Sequence, residues 1–202
     1  MSLSTVIFIS LLLSACDLEN SNNLPGIAID SRRSISKLEE EIPLAEKPGN
    51  FDFCAKSFEV SVSDGDTIEL MASGIKRRIR LIGIDTPELG QNPYGERAGS
   101  HLRNIIKNTS SKEEVCCNKG QEPLDKYGRT LAYCWYGNTF INAEMILSGN
   151  AFAFFVGDKN NYYKNMFFDL EEEAEQKGLG VHNPENPLPE LPSEWRRNNR
   201  RK

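Results

Sequence analysis

The stretch Thr67-Ile68-Glu69-Leu70-Met71-Ala72-Ser73-Gly74-Ile75-Lys76-Arg77-Arg78-Ile79-Arg80-Leu81-Ile82-Gly83-Ile84 alternates apolar and polar side chains twice, over Thr67 to Met71 and over Arg78 to Ile84. A period of two is what a half-buried strand requires. Ser73-Gly74 supplies a tight turn between the two runs, so they are expected to pair as an antiparallel hairpin. Just upstream, Phe58-Glu59-Val60-Ser61-Val62 alternates in the same way and reads as a third strand. Downstream, Tyr94 to Thr109 places Ala98, Leu102, Ile105 and Ile106 at the spacing of an amphipathic helix. Further strands are expected over Glu114 to Cys117 and Thr130 to Tyr136, and helices over Ile141 to Leu147 and Tyr162 to Gln176, the last stopping at Gly178. Five strands and three helices predict an α+β fold, mainly β, built as a small barrel with attached helices.

The chain has 202 residues, enough for one globular domain with extensions. With 39% hydrophobic residues, and 15 Gly and 10 Pro spread along the sequence, it is neither collagen, coiled coil nor disordered throughout. The 24 Lys and Arg against 29 Asp and Glu leave a net charge of -5, so bulk charge does not favour a polyanion. Five of the basic residues, Arg196, Arg197, Arg200, Arg201 and Lys202, lie at the C-terminus, and without them the remainder would carry -10. Any nucleic acid must therefore be held by a local arrangement of charge.

Val6 to Leu13 is an apolar run too short to cross a bilayer and reads as an export signal, although no Lys or Arg precedes it. Leu13-Ser14-Ala15-Cys16 resembles a bacterial lipobox, which implies residues 1–15 as a signal peptide and lipid attachment at Cys16. The plain alternative is a cleaved signal followed by a spare cysteine. Asp17 resembles the inner-membrane retention signal of Gram-negative lipoproteins. Residues 16–50, rich in Ser, Asn, Glu and Pro, read as a tether about 30 Å long on average. A domain over residues 51–180 follows, and then a tail, residues 181–202, with Pro184, Pro187, Pro189 and Pro192. That tail is expected to be extended, with Trp195 docking on the domain and the basic run solvated or touching phosphate or anionic lipid.

Cys54, Cys116, Cys117 and Cys134 are an even set in a chain that carries an export signal, and they predict two disulfides. Neighbouring cysteines pair with difficulty, so Cys116 and Cys117 are expected to bond separately to Cys54 and Cys134, in an order left open. A zinc site is the rival, but the sequence has no CxxC pair and only His101 and His182 as histidines.

Three segments concentrate carboxylates and arginines beside turns: Asp64-Gly65-Asp66-Thr67, Arg80 through Asp85-Thr86-Pro87-Glu88, and Asp125-Lys126-Tyr127-Gly128-Arg129. Singly each reads as a turn or a solvated loop, and Asp64-Gly65-Asp66 lacks the rest of an EF-hand loop. Together they hold hard oxygen ligands for a divalent cation, a spare carboxylate to take a proton from water, and guanidinium groups for phosphoryl oxygens. Strict alternation would send Arg80 and Asp85 to opposite faces, so a bend is expected near Asp85, imposed by Thr86-Pro87.

In order and approximate spacing, these three motifs and the following Leu131-Ala132-Tyr133 strand resemble the staphylococcal-type thermonuclease family across about residues 55 to 180. The resemblance implies a five-stranded OB-type barrel with three helices and calcium-dependent cleavage of DNA and RNA to 3'-phosphate ends. It further implies Asp66, Asp85 and the Thr86 carbonyl as ligands of Ca2+, Glu88 as the group that orients or deprotonates water, and Arg80 and Arg129 as the phosphate clamp. Departures from the family pattern are a shorter loop between Glu88 and Tyr94, and Phe155 and Gly157 where tyrosines flank the nucleotide. An insertion near Glu122-Pro123-Leu124 and the four domain cysteines are others. Phe152, Phe154 and Phe155 could form an aromatic platform, with core packing the alternative.

A non-catalytic OB-type binding module is the competing reading, and loss of a carboxylate or arginine would mark it. None is lost, which favours a monomeric, exported, membrane-anchored or secreted enzyme acting on DNA and RNA. A serine hydrolase is a remote reading, because His101 sits in a helical pattern and His182 in the tail, with no nucleophile-elbow motif nearby.

Overall fold

The computed structural model describes residues 45–107 and 113–199. Cys16, the signal and most of the tether, the expected end of the first helix at Thr109, and Arg200 to Lys202 lie outside the described residues.

The described chain forms strands β1 (Phe53–Lys56), β2 (Val60–Val62), β3 (Thr67–Ala72), β4 (Ile75–Leu81), β5 (Ile84–Asp85), β6 (Glu114–Leu124), β7 (Thr130–Tyr136), β8 (Thr139–Phe140) and β9 (Phe152–Ala153). Its helices are α1 (Tyr94–Lys107), α2 (Ile141–Leu147), α3 (Lys164–Gln176) and α4 (Pro192–Asn198). The main sheet runs β1-β6-β7-β4-β3-β2, with β8 against β7, while β5 pairs with β9. Its two edges, β1 and β2, are consecutive in the chain and separated only by the 3-10 turn Ser57–Glu59. One interrupted strand therefore serves both edges, and with β3, β4, β6 and β7 it makes the five-stranded OB-type framework of an α+β fold.

The hairpin forms as its alternation requires, with Thr67 opposite Arg80 and Ile68 opposite Ile79. Ile68, Leu70, Ile79 and Leu81 are buried, and Met71 and Arg78 face outward. On α1, Ala98, Leu102 and Ile106 are buried and Ile105 is half-buried, which is the stripe the spacing predicts. These side chains meet an aromatic group in which Trp135 stacks on Phe140 with ring centres 4.3 Å apart.

Four expectations are corrected. Phe58 and Glu59 do not belong to a strand, because the Glu59 carboxylate accepts the Lys56 backbone N–H at 3.2 Å and closes a local turn. The strand expected through Ile84 stops at Leu81, because Gly83 has φ +78 and a Cβ there would lie 2.7 Å from the rings of Phe155 and Phe167. The bend assigned to Thr86-Pro87 is thus made earlier, at Gly83. The strand starting at Glu114 continues to Leu124, its outer part pairing Leu124 with Thr130 after an irregular register, which a sequence without alternation did not signal. Finally, the C-terminal segment is not extended: it makes a 3-10 turn at Gly180–His182 and then α4, with Pro192 in its first turn and the Trp195 N–H bonded to the Leu191 carbonyl at 2.9 Å. α4 is a fourth α-helix beside the three expected.

The disulfides are Cys54 to Cys116 and Cys117 to Cys134, which resolves the open order. Each joins residues directly opposite in a ladder, β1 with β6 and β6 with β7, so β6 is stapled on both sides. All four sulfurs are used in these bonds, which removes the zinc alternative.

Asn142, fully buried on α2, ties three segments together. Its Oδ1 accepts the Cys134 N–H at 3.0 Å, and its Nδ2 donates to the carbonyls of Ile82 at 2.8 Å and Ala132 at 3.4 Å. The Ile82 carbonyl belongs to the turn after β4, so this one side chain holds the bend that separates Arg80 from Asp85. Replacing Asn142 with Ala leaves buried backbone groups without partners and is expected to cost about 2 kcal/mol or more. Thermal unfolding of Asn142→Ala should show a correspondingly lower Tm.

Candidate active site

The turn Asp64-Gly65-Asp66 is closed by the Ser63 N–H bonding to the Thr67 carbonyl at 2.9 Å and by the Asp66 N–H bonding to Asp64 Oδ1 at 3.1 Å. Gly65 has no room for a side chain: a Cβ would sit 2.7 Å from Ala98 Cβ and 2.8 Å from Thr86 Oγ1. α1 and the Thr86 loop therefore press directly on this turn and set Asp66 beside Thr86. The Asp66 Oδ2 accepts the Thr86 hydroxyl at 3.2 Å.

Arg80, the second-last residue of β4, lies between two acidic residues. Its Nη1 is 3.0 Å from Asp66 Oδ2 and its Nη2 is 3.4 Å from Asp85 Oδ1, and Nη1 also donates to the Leu81 carbonyl at 3.1 Å. The break at Gly83 brings Asp85 to the same side as Arg80, contrary to simple alternation. Asp66, Asp85 and Thr86 are buried, while Glu88 is part-exposed in the loop leading to α1. Burial, and next the charge of Asp66, push the Asp64 carboxyl up to about 6.

The third motif lies just before β7, the strand that pairs with β4. Burial raises the Asp125 carboxyl, but the N–H groups of Arg129 and Tyr127, each 2.9 Å from Oδ1, and the Arg129 Nε, 2.7 Å from Oδ2, outweigh it and hold the group below the ordinary carboxylate value. Asp125 thereby aims Arg129, whose Nη1 reaches the Thr67 hydroxyl at 3.3 Å, and that hydroxyl donates to Asp66 Oδ1 at 3.0 Å. Asp66, Arg80, Thr86, Glu88 and Arg129 line one cleft of about 1040 Å³.

The aromatic residues divide. Phe155 packs on Phe167 and Phe168, Phe152 lies 5.3 Å from His182, and only Phe154 of the three is well exposed. Tyr127, 71% exposed, presents a further ring on the cleft beside Arg129.

Sequence reasoning missed Arg196. From α4 its Nη1 donates to Asp85 Oδ1 at 2.9 Å and to Glu88 Oε1 at 2.8 Å, and its Nη2 donates to Asp85 Oδ2 at 2.8 Å. It is paired with two carboxylates, whereas the terminal basic run was expected to be solvated or to touch phosphate or lipid. The bond to Asp85 first, and then that to Glu88, hold its guanidinium even more firmly in the charged form than usual. The only forewarning in the sequence was Trp195 beside a basic cluster.

A family model for staphylococcal nuclease homologues matches residues 78–183. A thermonuclease of Staphylococcus intermedius is 36% identical over 141 residues, which cover 67% of this chain and 81% of that protein. An uncharacterized endonuclease of Haemophilus influenzae is 34% identical over 139 residues, 68% of this chain and 71% of its own length. Endonuclease YncB of Bacillus subtilis is 32% identical over 123 residues, 58% of this chain and 57% of its own.

The Asp125 geometry has a pH signature. Its folded value is depressed below the ordinary 3.8, so its stabilisation is complete above that value and is lost as pH falls through the folded one. The Tm difference between wild type and Asp125→Asn should stay constant from about pH 7 to about pH 5 and shrink below about pH 4. A difference that widens on acidification would contradict the sign.

Proposed function

Because the chain belongs to the staphylococcal nuclease family and is a nuclease that hydrolyses nucleic acid, we propose that it cleaves DNA and RNA outside the cytoplasm in a calcium-dependent reaction leaving 3'-phosphate ends. The observation that carries this reading is the convergence of Asp66, Arg80, Thr86, Glu88 and Arg129 on one cleft, with Asp85 directly behind Arg80.

The donor set suits a hard divalent cation. Asp66, Asp85 and the Thr86 carbonyl offer only oxygen, on a turn and a short strand that Gly65 and Gly83 allow to approach closely. Calcium held there would supply positive charge to phosphoryl oxygens and polarise water. Glu88, part-exposed at the mouth, takes the proton from the attacking water. Water oxygen then bonds to phosphorus as the bond from phosphorus to the 5'-oxygen breaks, and a proton ends on that leaving oxygen. Arg80 on β4 and Arg129 just before the adjacent β7 stabilise the charge that accumulates on the phosphoryl oxygens. Such local cations hold phosphate on an acidic domain.

Export fits a domain with two disulfides, which persist in oxidising compartments. In this reading Cys16 carries the lipid and the protein acts as a membrane-tethered monomer. Cys16→Ser should shift it from the membrane fraction to the soluble one.

The catalytic reading is tested by hydrolysis of single-stranded DNA in Ca2+, in Mg2+ and in EDTA. Cleavage is expected in calcium, lost in EDTA and abolished in Glu88→Gln. Arg129→Ala should lower turnover about a hundredfold while altering binding less. Unchanged turnover in that variant would remove Arg129 from the mechanism.

A further inference from the structure

We propose that residues 186–199 form a self-blocking strap, in which the Arg196 guanidinium stands on the Asp85 and Glu88 carboxylates and is exchanged for the divalent cation when the nuclease is switched on. The inference rests on the calcium reading above and concerns how the site balances its own charge.

Three charge-assisted hydrogen bonds define the blocked state. Both oxygens of Asp85, itself 3% exposed, are taken by Arg196, and Oδ1 is shared with Arg80. A cation that needs an Asp85 oxygen meets a guanidinium already using the same lone pairs and carrying charge of the same sign. Glu88 is engaged through one oxygen, Oε1, so the guanidinium stands where water would approach that oxygen. One side chain thus occupies both the ligand and the base.

The strap has anchors of its own, which distinguishes it from a chance surface ion pair. The Trp195 indole lies on Gly90, where a Cβ would come within 2.5 Å of the ring. Gln91 donates through Nε2 to the Glu190 carbonyl at 2.7 Å and accepts the Glu88 N–H through Oε1 at 2.9 Å, so the same side chain fastens the strap and the Glu88 loop. The Tyr94 hydroxyl donates to the Asn186 carbonyl. Arg196 itself keeps 38% of its side chain exposed, which gives it a route to water when displaced.

Competition for one site is reciprocal: what weakens calcium binding must itself be weakened by calcium. Isothermal titration of the purified protein with Ca2+ should show Arg196→Ala binding at least about fivefold more tightly than wild type. Arg196→Lys, which keeps the charge and loses the two-pronged geometry, should fall between them. In wild type, added Ca2+ should speed amide hydrogen exchange over residues 192–199, a readout that needs neither a variant nor activity. Equal calcium affinity in wild type and Arg196→Ala, or exchange that slows on adding Ca2+, would overturn the strap while leaving the calcium site standing. Failure of all three proteins to bind Ca2+ would overturn the calcium reading and the strap with it.

Discussion

Asp66 and Asp85 are buried close together at the end of the β4 strand, and the negative charge they bring has to be balanced within the protein. Carboxylates removed from water are tolerated only when paired or hydrogen-bonded. Arg80 meets both of them from β4, the Thr67 and Thr86 hydroxyls donate to Asp66, and Arg196 covers Asp85 from the far end of the chain. Much of the surrounding structure serves this cluster. The Gly65 turn brings Asp66 in, the Gly83 bend brings Asp85 round, and Asn142 fixes the carbonyl at that bend.

The same concentration of charge explains how an acidic chain handles a polyanion. Bulk charge is -5, but the cleft is lined by Arg80 and Arg129, each oriented by a carboxylate. An arginine held by Asp125 through its Nε still presents its remaining N–H groups to the cleft. Local field, not net charge, governs phosphate binding at such a site.

The sheet joins its edges economically. β1 and β2 are one stretch of chain interrupted by a turn, so the sheet's two ends are linked covalently, and the disulfides staple β6 to both of its neighbours. A small domain gains rigidity from such cross-strand bonds. Rigidity suits a cleft whose working groups come from turns and strand ends, because these have little packing of their own to position them.

Local pattern in the sequence was enough for the hairpin from Thr67 to Leu81, the apolar stripe of α1, the extent of β7 and α2, and the concentration of carboxylates and arginines in three turn segments, within which the family resemblance singled out Asp66, Arg80, Asp85, Thr86, Glu88 and Arg129. Periodicity and side-chain chemistry are local properties, and those elements depend on little else. The order of the disulfides, the position of the bend and the place of Arg196 depended on contacts far apart in the chain. Cys54 meets Cys116 only because β1 pairs with β6, Gly83 must turn because Phe155 and Phe167 fill the space above it, and Arg196 lies 111 residues from Asp85. No spacing rule spans that distance, since only the packing of Trp195 on Gly90 and the bond from Gln91 to Glu190 bring the guanidinium to the carboxylates, and packing is a property of the assembled surface.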